Sequence, residues 1–348
     1  MWERRLAFTR HHRRALLKLF YRIALFSFIL RQLQAVRNEH AIGNVYESSR
    51  CPGTSIMRCR GDINMIWSLS FTTGATPLLA NFSRGPIQRG LDVTDISALF
   101  VADPFLVVDK EAYHIFSEVL NQRYQKGEIG HHVSYDSGTT WRYDKIVLAE
   151  AWHLSFPFVL KFNGKWYMTT SATAGTKSPY SLWLYVAESF PHTWVRRKHI
   201  LLPGQLNGRA VDPVISFHEN TWYIFVLDDG LDRERLYFSD SLLGKFTEHP
   251  KSGKFTIRQS GQHVTDLEGR IWAFHHSSAT VERLELLQLS RTEYEYGPKI
   301  PFLGPREDYW ASSGMHTYNA VQTGLGTWAA VTDGWWNDIS FDTYLASV

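Results

Sequence analysis

From about residue 98 onward the apolar positions fall in short alternating runs, none of which holds a helical period for more than a turn or two, so the chain reads as all-β. The runs recur. Val133-Ser134-Tyr135-Asp136-Ser137-Gly138-Thr139-Thr140-Trp141 is answered by the stretch from Val186 to Trp194 and again by Phe238 to Phe246. The closing aromatics Trp141, Trp194 and Phe246 stand 53 and 52 residues apart, and Tyr296 follows after 50. A second series keeps the same spacing: Asp103-Pro104-Phe105, Phe156-Pro157-Phe158 and Asp212-Pro213-Val214 each open a strand, and the aromatic-led pairs Tyr113-His114, Trp166-Tyr167 and Trp222-Tyr223 open the next. Asn163-Gly164 and Glu219-Asn220 supply tight turns between the two. Echoes at Gly269-Arg270-Ile271-Trp272 and Gly326-Thr327-Trp328 bring the units to five. A repeat of this length in a strand-rich chain predicts a five-bladed β-propeller over residues 62–348. A ring cannot leave an open edge, so the apolar run from Ile63 to Phe71 is expected to pair into the last blade.

Composition adds detail at the front of the chain. The net charge of +3 comes from residues 1–22, where Arg4, Arg5, Arg10, Arg13, Arg14, Lys18 and Arg22 face only Glu3. Beyond them the chain is near neutral, which argues against a nucleic-acid surface. Ile23 to Leu30 is an apolar stretch interrupted only by Ser27, too short for a plain membrane span, although residues 15–34 can act as a type II signal anchor if Lys18 and Arg22 snorkel. An Arg-rich presequence and a surface helix are the other readings of segment 1–61. Cys51 and Cys59 make no metal set and are left as either a small-loop disulfide or two free thiols. Asn81-Phe82-Ser83 is a glycosylation sequon, in keeping with a lumenal chain. The 13 Trp and 16 Tyr are enough to fill strand layers and still line a sugar site.

In a propeller the first residues of the innermost strands converge on one mouth. Here those positions are Asp103, the stretch His153-Leu154-Ser155-Phe156, Asp212, the Gln262-His263 region, and His316 to Asn319. Carboxylates there can accept pairs of sugar hydroxyls, and the histidines can donate or accept beside them. Asp103, Asp212 and Glu118 are the candidate catalytic groups; Asp103, Glu118, His153, Asp212, His316 and Asn319 are the candidate ligand contacts. No cofactor motif is present, and the acidic run Asp228, Asp229 and Asp232 reads as solvated surface rather than a metal site. The stretch from Ser134 to Trp141 fits the Asp-box pattern, a structural motif that fixes a hairpin turn.

Taken together, Phe100-Val101-Ala102-Asp103-Pro104-Phe105, Ser117-Glu118-Val119-Leu120-Asn121, His153-Leu154-Ser155-Phe156-Pro157-Phe158-Val159, Leu242-Leu243-Gly244 and Gly314-Met315-His316 resemble the N-terminal domain of plant glucosamine inositolphosphorylceramide transferases, a propeller related to the family 43 glycoside hydrolases. The resemblance implies a Golgi lumen or membrane setting, sphingolipid glycosylation, a glycan or glycolipid headgroup as ligand and a separate glycosyltransferase as partner. In that family transfer belongs to a C-terminal domain, and this chain ends at Val348. Two departures stand out. Where the family carries a Glu after the second-unit Tyr-Met, this chain has Thr169-Thr170-Ser171, and where the fifth unit offers Asp-Pro after its His, it has Thr317-Tyr318-Asn319. Glu268, in the unit where related hydrolases hold their general acid, falls at a turn. A glycosidase needs two carboxyl groups about one bond, so the expectation is binding without hydrolysis. Hydrolysis through Asp103 and Asp212, or a scaffold with a vestigial site, are the alternatives.

Overall fold

The computed structural model describes residues 65–82, 85–171, 181–204, 206–306 and 310–337. The 15–34 segment, Cys51, Cys59 and Ser83 of the sequon lie outside them, as do residues 62–64, while Asn81 is exposed. Among the described residues no helix is long and apolar enough to cross a membrane.

In chain order the strands are β1 (Met65–Gly74) and β2 (Gln88–Arg89), then β3 (Ala98–Asp109), β4 (Ala112–Asn121), β5 (Lys126–Ser134) and β6 (Arg142–Leu148). They continue with β7 (Phe158–Phe162), β8 (Lys165–Thr169), β9 (Ser181–Ser189) and β10 (Thr193–Leu201), then β11 (Ala210–His218), β12 (Thr221–Asp228), β13 (Arg233–Ser239) and β14 (Thr247–Glu248). The rest are β15 (Val264–Thr265), β16 (Ile271–Ser277), β17 (Thr280–Leu289), β18 (Tyr294–Tyr296), β19 (Ile300–Leu303), β20 (Gly314–Gly324) and β21 (Thr327–Asn337). They form five antiparallel sheets: blade 1 is β3 to β6, blade 2 β7 to β10, blade 3 β11 to β14, blade 4 β15 to β18 with β19 paired on β17, and blade 5 runs β20-β21-β1-β2. The fold is thus the five-bladed propeller that the spacing predicts, closed by β1 lying antiparallel to β21 from Met65 opposite Asn337 to Gly74 opposite Trp328.

The hairpins follow from local chemistry. Asn163 (φ 48°) with Gly164 (φ 73°), and Glu219 (φ 45°) with Asn220 (φ 58°), take the left-handed pairs that two-residue hairpins need. Aromatic residues then fill the spaces between blades. Trp194 of blade 2 meets Phe116 of blade 1 edge-on at 5.5 Å, and Phe105 meets Phe156 at 4.8 Å. On the same seam, His131 Nδ1 and His192 Nε2 both meet Asp144 Oδ2, at 2.9 and 2.7 Å.

The Asp box works as a turn. Asp136 accepts from the Thr140 amide at 2.9 Å and from its hydroxyl at 2.6 Å, and these bonds, led by the hydroxyl, hold its pKa down to about 2. Gly138 sits at φ +85°, and a Cβ there would stand 2.1 Å from Cε1 of Phe71 on the closing strand. Trp141 packs on the same Phe71 at 5.2 Å. The Gly138→Ala protein is expected to lose about 1–3 kcal/mol in denaturant unfolding, from left-handed backbone and overpacking acting together. A loss within experimental error would show that Phe71 can move aside freely.

Candidate functional site

The three X-Pro steps share one backbone feature. Asp103, Phe156 and Asp212 have φ of 51°, 52° and 53°, the left-handed region that non-glycine residues seldom occupy. The β3–β4 and β11–β12 ladders skip register at the matching places, between Ala102 and Phe105 and between Val211 and Val214. The innermost β20 shifts likewise between Met315 and Tyr318. A bulge re-aims side chains, and here its repetition at one end of the inner strands turns Asp103, Asp212 and His316 into a shared polar centre.

That centre is built on an ion pair. His316 Nδ1 lies 3.0 Å from Asp103 Oδ1 and 3.4 Å from Asp333 Oδ2. Burial alone would push the imidazole toward neutrality, but the Asp103 and Asp333 carboxylates outweigh it and raise its pKa to about 10. Burial would likewise raise Asp103, yet the His316 charge and the bonds from His316 and Thr317 bring it down to about 2. Asp103 Oδ1 also accepts from the Thr317 hydroxyl at 3.0 Å and Oδ2 from the Phe156 amide at 3.1 Å, so each oxygen already has partners. Asp333 accepts from the amides of Asp103 at 2.9 Å and Thr317 at 2.6 Å.

Asp212 is engaged in the same way. Its Oδ1 accepts from the Ser171 hydroxyl at 3.1 Å, its own amide donates to Ser171 Oγ at 2.9 Å, and its Oδ2 accepts from Arg258 Nε at 2.5 Å. Ser171, standing where the resemblance would put a carboxylate, therefore closes a ring of bonds with Asp212. Glu118 is buried beside His153, with Oε1 3.2 Å from Nε2. Burial first, and the Asp103 charge with it, raise the Glu118 pKa against the lowering bond from His153. The Gly127 amide donates to His153 Nδ1 at 2.9 Å, which puts the ring's first proton on Nε2, facing Glu118.

A cavity of about 350 Å³ opens on this centre, lined by His153, Ser155 and Ser171 of blade 2 and by Arg209, Val211, Asp212 and Arg258. His153 and Asp212 therefore reach the cavity wall. Asp103, Glu118 and His316 stand behind it, and Asn319 is buried deeper, its Nδ2 donating to the Pro104 carbonyl at 3.4 Å.

Two expectations are corrected. In blade 4 the mouth is occupied by Ser260, whose hydroxyl bonds the His316 carbonyl and whose own carbonyl accepts from the Tyr318 amide at 2.6 Å. Gln262 and His263 instead line a second cavity of about 520 Å³ with Phe217, His218 and Gln322, at the far ends of the inner strands. The cause is that blade 4 has no X-Pro step; its β15 starts only at Val264, with a lone bridge from Gln259 to His275 above it. Second, Asp228 is not solvated surface. It is fully buried at the mouth end of β12, accepting from the amides of Asn207 at 3.0 Å and Gly230 at 3.3 Å, while Asp229 pairs with Arg209.

Sequence reasoning passed over Asp333, Thr317, Arg209 and Arg258. A signal existed for the first: Glu118, Asp228 and Asp333 each lie on the second strand of a blade, five or six residues beyond Tyr113, Trp222 and Trp328. The two arginines lie outside the period, so no spacing announces them.

Comparison with known proteins places these features in context. The family described as "Glucosamine inositolphosphorylceramide transferase 1, N-terminal" matches residues 88–335. Glucosamine inositolphosphorylceramide transferase 1 of Oryza sativa subsp. japonica is 29% identical over 334 residues, an alignment covering 84% of this chain and 44% of the relative. This chain thus spans less than half the length of the curated relatives it matches. Among solved structures, the catalytic domain of the Coprinopsis cinerea GH62 alpha-L-arabinofuranosidase superposes with a TM-score of 0.52 at 11% identity, over 78% of this chain and 97% of that one. A GH43_1 enzyme from Xanthomonas citri gives 0.51 at 12% identity, over 61% and 77%. At such identities the likeness concerns the fold alone.

Proposed function

The chain belongs to the family of glucosamine inositolphosphorylceramide transferase 1 N-terminal domains, and from that membership we propose that it is a carbohydrate-binding propeller serving sphingolipid glycosylation in the secretory pathway. It holds a glycan or glycolipid headgroup at the axial mouth for a separate glycosyltransferase to act on. The observation that carries this reading is the cavity itself, where polar side chains from neighbouring blades converge on one axial opening of single-sugar size.

Hydrolysis is not part of the proposal. A general base needs a free carboxylate oxygen aimed at water and a general acid needs to reach the leaving oxygen. Asp103 and Asp212 spend their oxygens on His316, Thr317, Phe156, Ser171 and Arg258. One observation favours the hydrolase alternative: Glu118 is raised while Asp103 is lowered, the separation that an acid and base pair shows. Against it, His153 rather than Glu118 forms the cavity wall.

The test is calorimetric titration of the full chain with a panel of glycans and glycolipid headgroups, alongside turnover assays on aryl glycosides. Saturable binding without turnover is expected. Asp212→Asn, which loses the charge-assisted bond to Arg258, is expected to weaken binding by about 1–3 kcal/mol. Turnover that disappears in a folded Glu118→Gln protein would establish the hydrolase instead, and no binding across the panel would leave a scaffold.

A further inference from the structure

Three side chains that the axial mouth does not use converge at the outer end of the seam between blades 1 and 2. His131 comes from β5, Asp144 from the outermost strand β6, and His192 from the turn that joins β9 to β10. His131 Nδ1 and His192 Nε2 both aim at one oxygen, Asp144 Oδ2, and the three atoms lie within 4.8 Å of one another. The register explains how the carboxylate gets there. Lys145 pairs with His131 and Tyr143 with His132, so Asp144 is the extra residue of a bulge, and its side chain is turned out of the ladder's alternation onto His131.

Two imidazole nitrogens and one carboxylate oxygen, each from a different segment, make a ligand set for a zinc-type ion. The groups behind them fit as well. His131 spends its other nitrogen, Nε2, on Nδ1 of His114 at 2.9 Å, and the two rings stack at 5.2 Å. With its proton on Nε2, His131 donates to His114 and turns the lone pair of Nδ1 toward the shared oxygen, the arrangement that fixes the tautomer and plane of a ligating imidazole. Phe116 packs on His131 at 5.2 Å and Phe190 on His114 at 5.0 Å, which gives the pair an apolar wall. The other side is open: the His192 side chain is 45% exposed, against 2% for His131. Water can take a fourth position from there. The separations of 2.9 and 2.7 Å between nitrogen and oxygen are those of hydrogen bonds. Ligands at about 2.0–2.2 Å from a tetrahedral ion stand roughly 3.3–3.5 Å apart, so each imidazole has to draw back by about half an ångström. His192, on its exposed turn, has the room.

We propose that His131, His192 and Asp144 bind a zinc ion that clasps blade 1 to blade 2, with His114 as the positioning residue behind His131. The two nitrogen donors select zinc over calcium and magnesium, which take oxygen ligands. Asp144 stands 13 residues from His131 and 48 from His192 in the chain, so no motif spacing announces the set. Because the ion joins two blades of the folded ring, its binding free energy adds to the stability of the seam.

The experiment takes the untagged full chain, stripped with EDTA and freed of it, and titrates it with zinc chloride by calorimetry and with cobalt chloride by visible absorption. One zinc per chain should bind with a Kd in the micromolar range or tighter, and cobalt should show the intense bands of a tetrahedral site. Melting temperature should rise with zinc and not with magnesium. His192→Ala, a change on an exposed turn, should keep the fold, weaken zinc binding at least tenfold, and lose both the cobalt bands and the thermal shift. His114→Phe should weaken zinc binding by about tenfold, and His114→Gln, which still accepts from Nε2, should recover it. If the His114 variants do not fold, His192→Ala and the cobalt spectrum decide. No binding at about 100 μM zinc, a concentration that detects even weak affinity, overturns the inference and leaves the three side chains as a hydrogen-bonded clasp. Zinc held undiminished by His192→Ala overturns it too, since the ion would then sit elsewhere on the chain. Equal affinity in His114→Phe and His114→Gln would overturn the positioning role alone.

Discussion

An Asp333→Ala protein is expected to be less stable than the wild type by about 3–5 kcal/mol, the scale for removing one partner from a buried charged network. Asp333 is fully buried and accepts from the amides of Asp103 and Thr317. Both amides lie where the ladders skip register, so no neighbouring strand can take them over. Alanine would leave two buried donors without acceptors and His316 with one carboxylate instead of two. Denaturant unfolding measures the loss, and a value below about 1 kcal/mol would mean that the centre is not braced as described. The same network sets a pH signature. His316 is raised from 6.5 to about 10, so its contribution is complete below pH 6.5 and is lost as pH climbs through 10. Asp103 is lowered from 3.8 to about 2, so its contribution is complete above pH 3.8 and fades as pH falls through 2. Melting temperature should therefore decline on the alkaline side from about pH 6.5, and that limb should flatten in His316→Gln.

Gly261→Ala should be comparably damaging, with little folded protein recovered and a loss of at least about 3 kcal/mol in whatever remains, beyond the usual overpacking range. A Cβ on Gly261 would stand 1.7 Å from the Tyr318 carbonyl oxygen. That oxygen belongs to the backbone of the innermost strand of blade 5, which is tied to blade 4 by the Tyr318 to Ser260 bond. A flexible side chain could swing aside, but here two blades would have to separate at the axis. Circular dichroism and size-exclusion chromatography of Gly261→Ala against Gly269→Ala, a turn glycine with open space around it, make the comparison. Similar yields from the two proteins would show that the axis can widen.

How far the chain could be read follows from what repeats. Blades 1 to 3 were legible because Asp103-Pro104, Phe156-Pro157 and Asp212-Pro213 impose the same kink at the same interval. Blade 4 was legible as a unit through Ile271-Trp272, but its mouth was misplaced because Gly261 and Ser260 do there what an X-Pro step does elsewhere. The structure places Asp103, His153, Asp212 and His316 around one centre, while their partners were not foreseeable. A sequence shows that Asp103 and His316 share a mouth; only geometry shows that they neutralise each other. Arg258 and Arg209 stand in connections between strands, where no period operates.

The strand that closes the ring and the strand it pairs with are neighbours in space and strangers in time. Leu69 and Phe71 of Met65–Gly74 are buried only once Thr327–Asn337 lies alongside. At ~5–20 residues per second of synthesis, the first is made roughly 10–50 s before the second. Throughout that interval the nascent chain carries an apolar edge with unfilled backbone bonds, a template for any strand that comes near. The strands closest to hand are those of other copies growing on the same message. Yield of this protein in a cell is thus expected to depend on how quickly ribosomes travel from Gly74 to Asn337 and how thinly they are spaced, as well as on the stability of the finished ring.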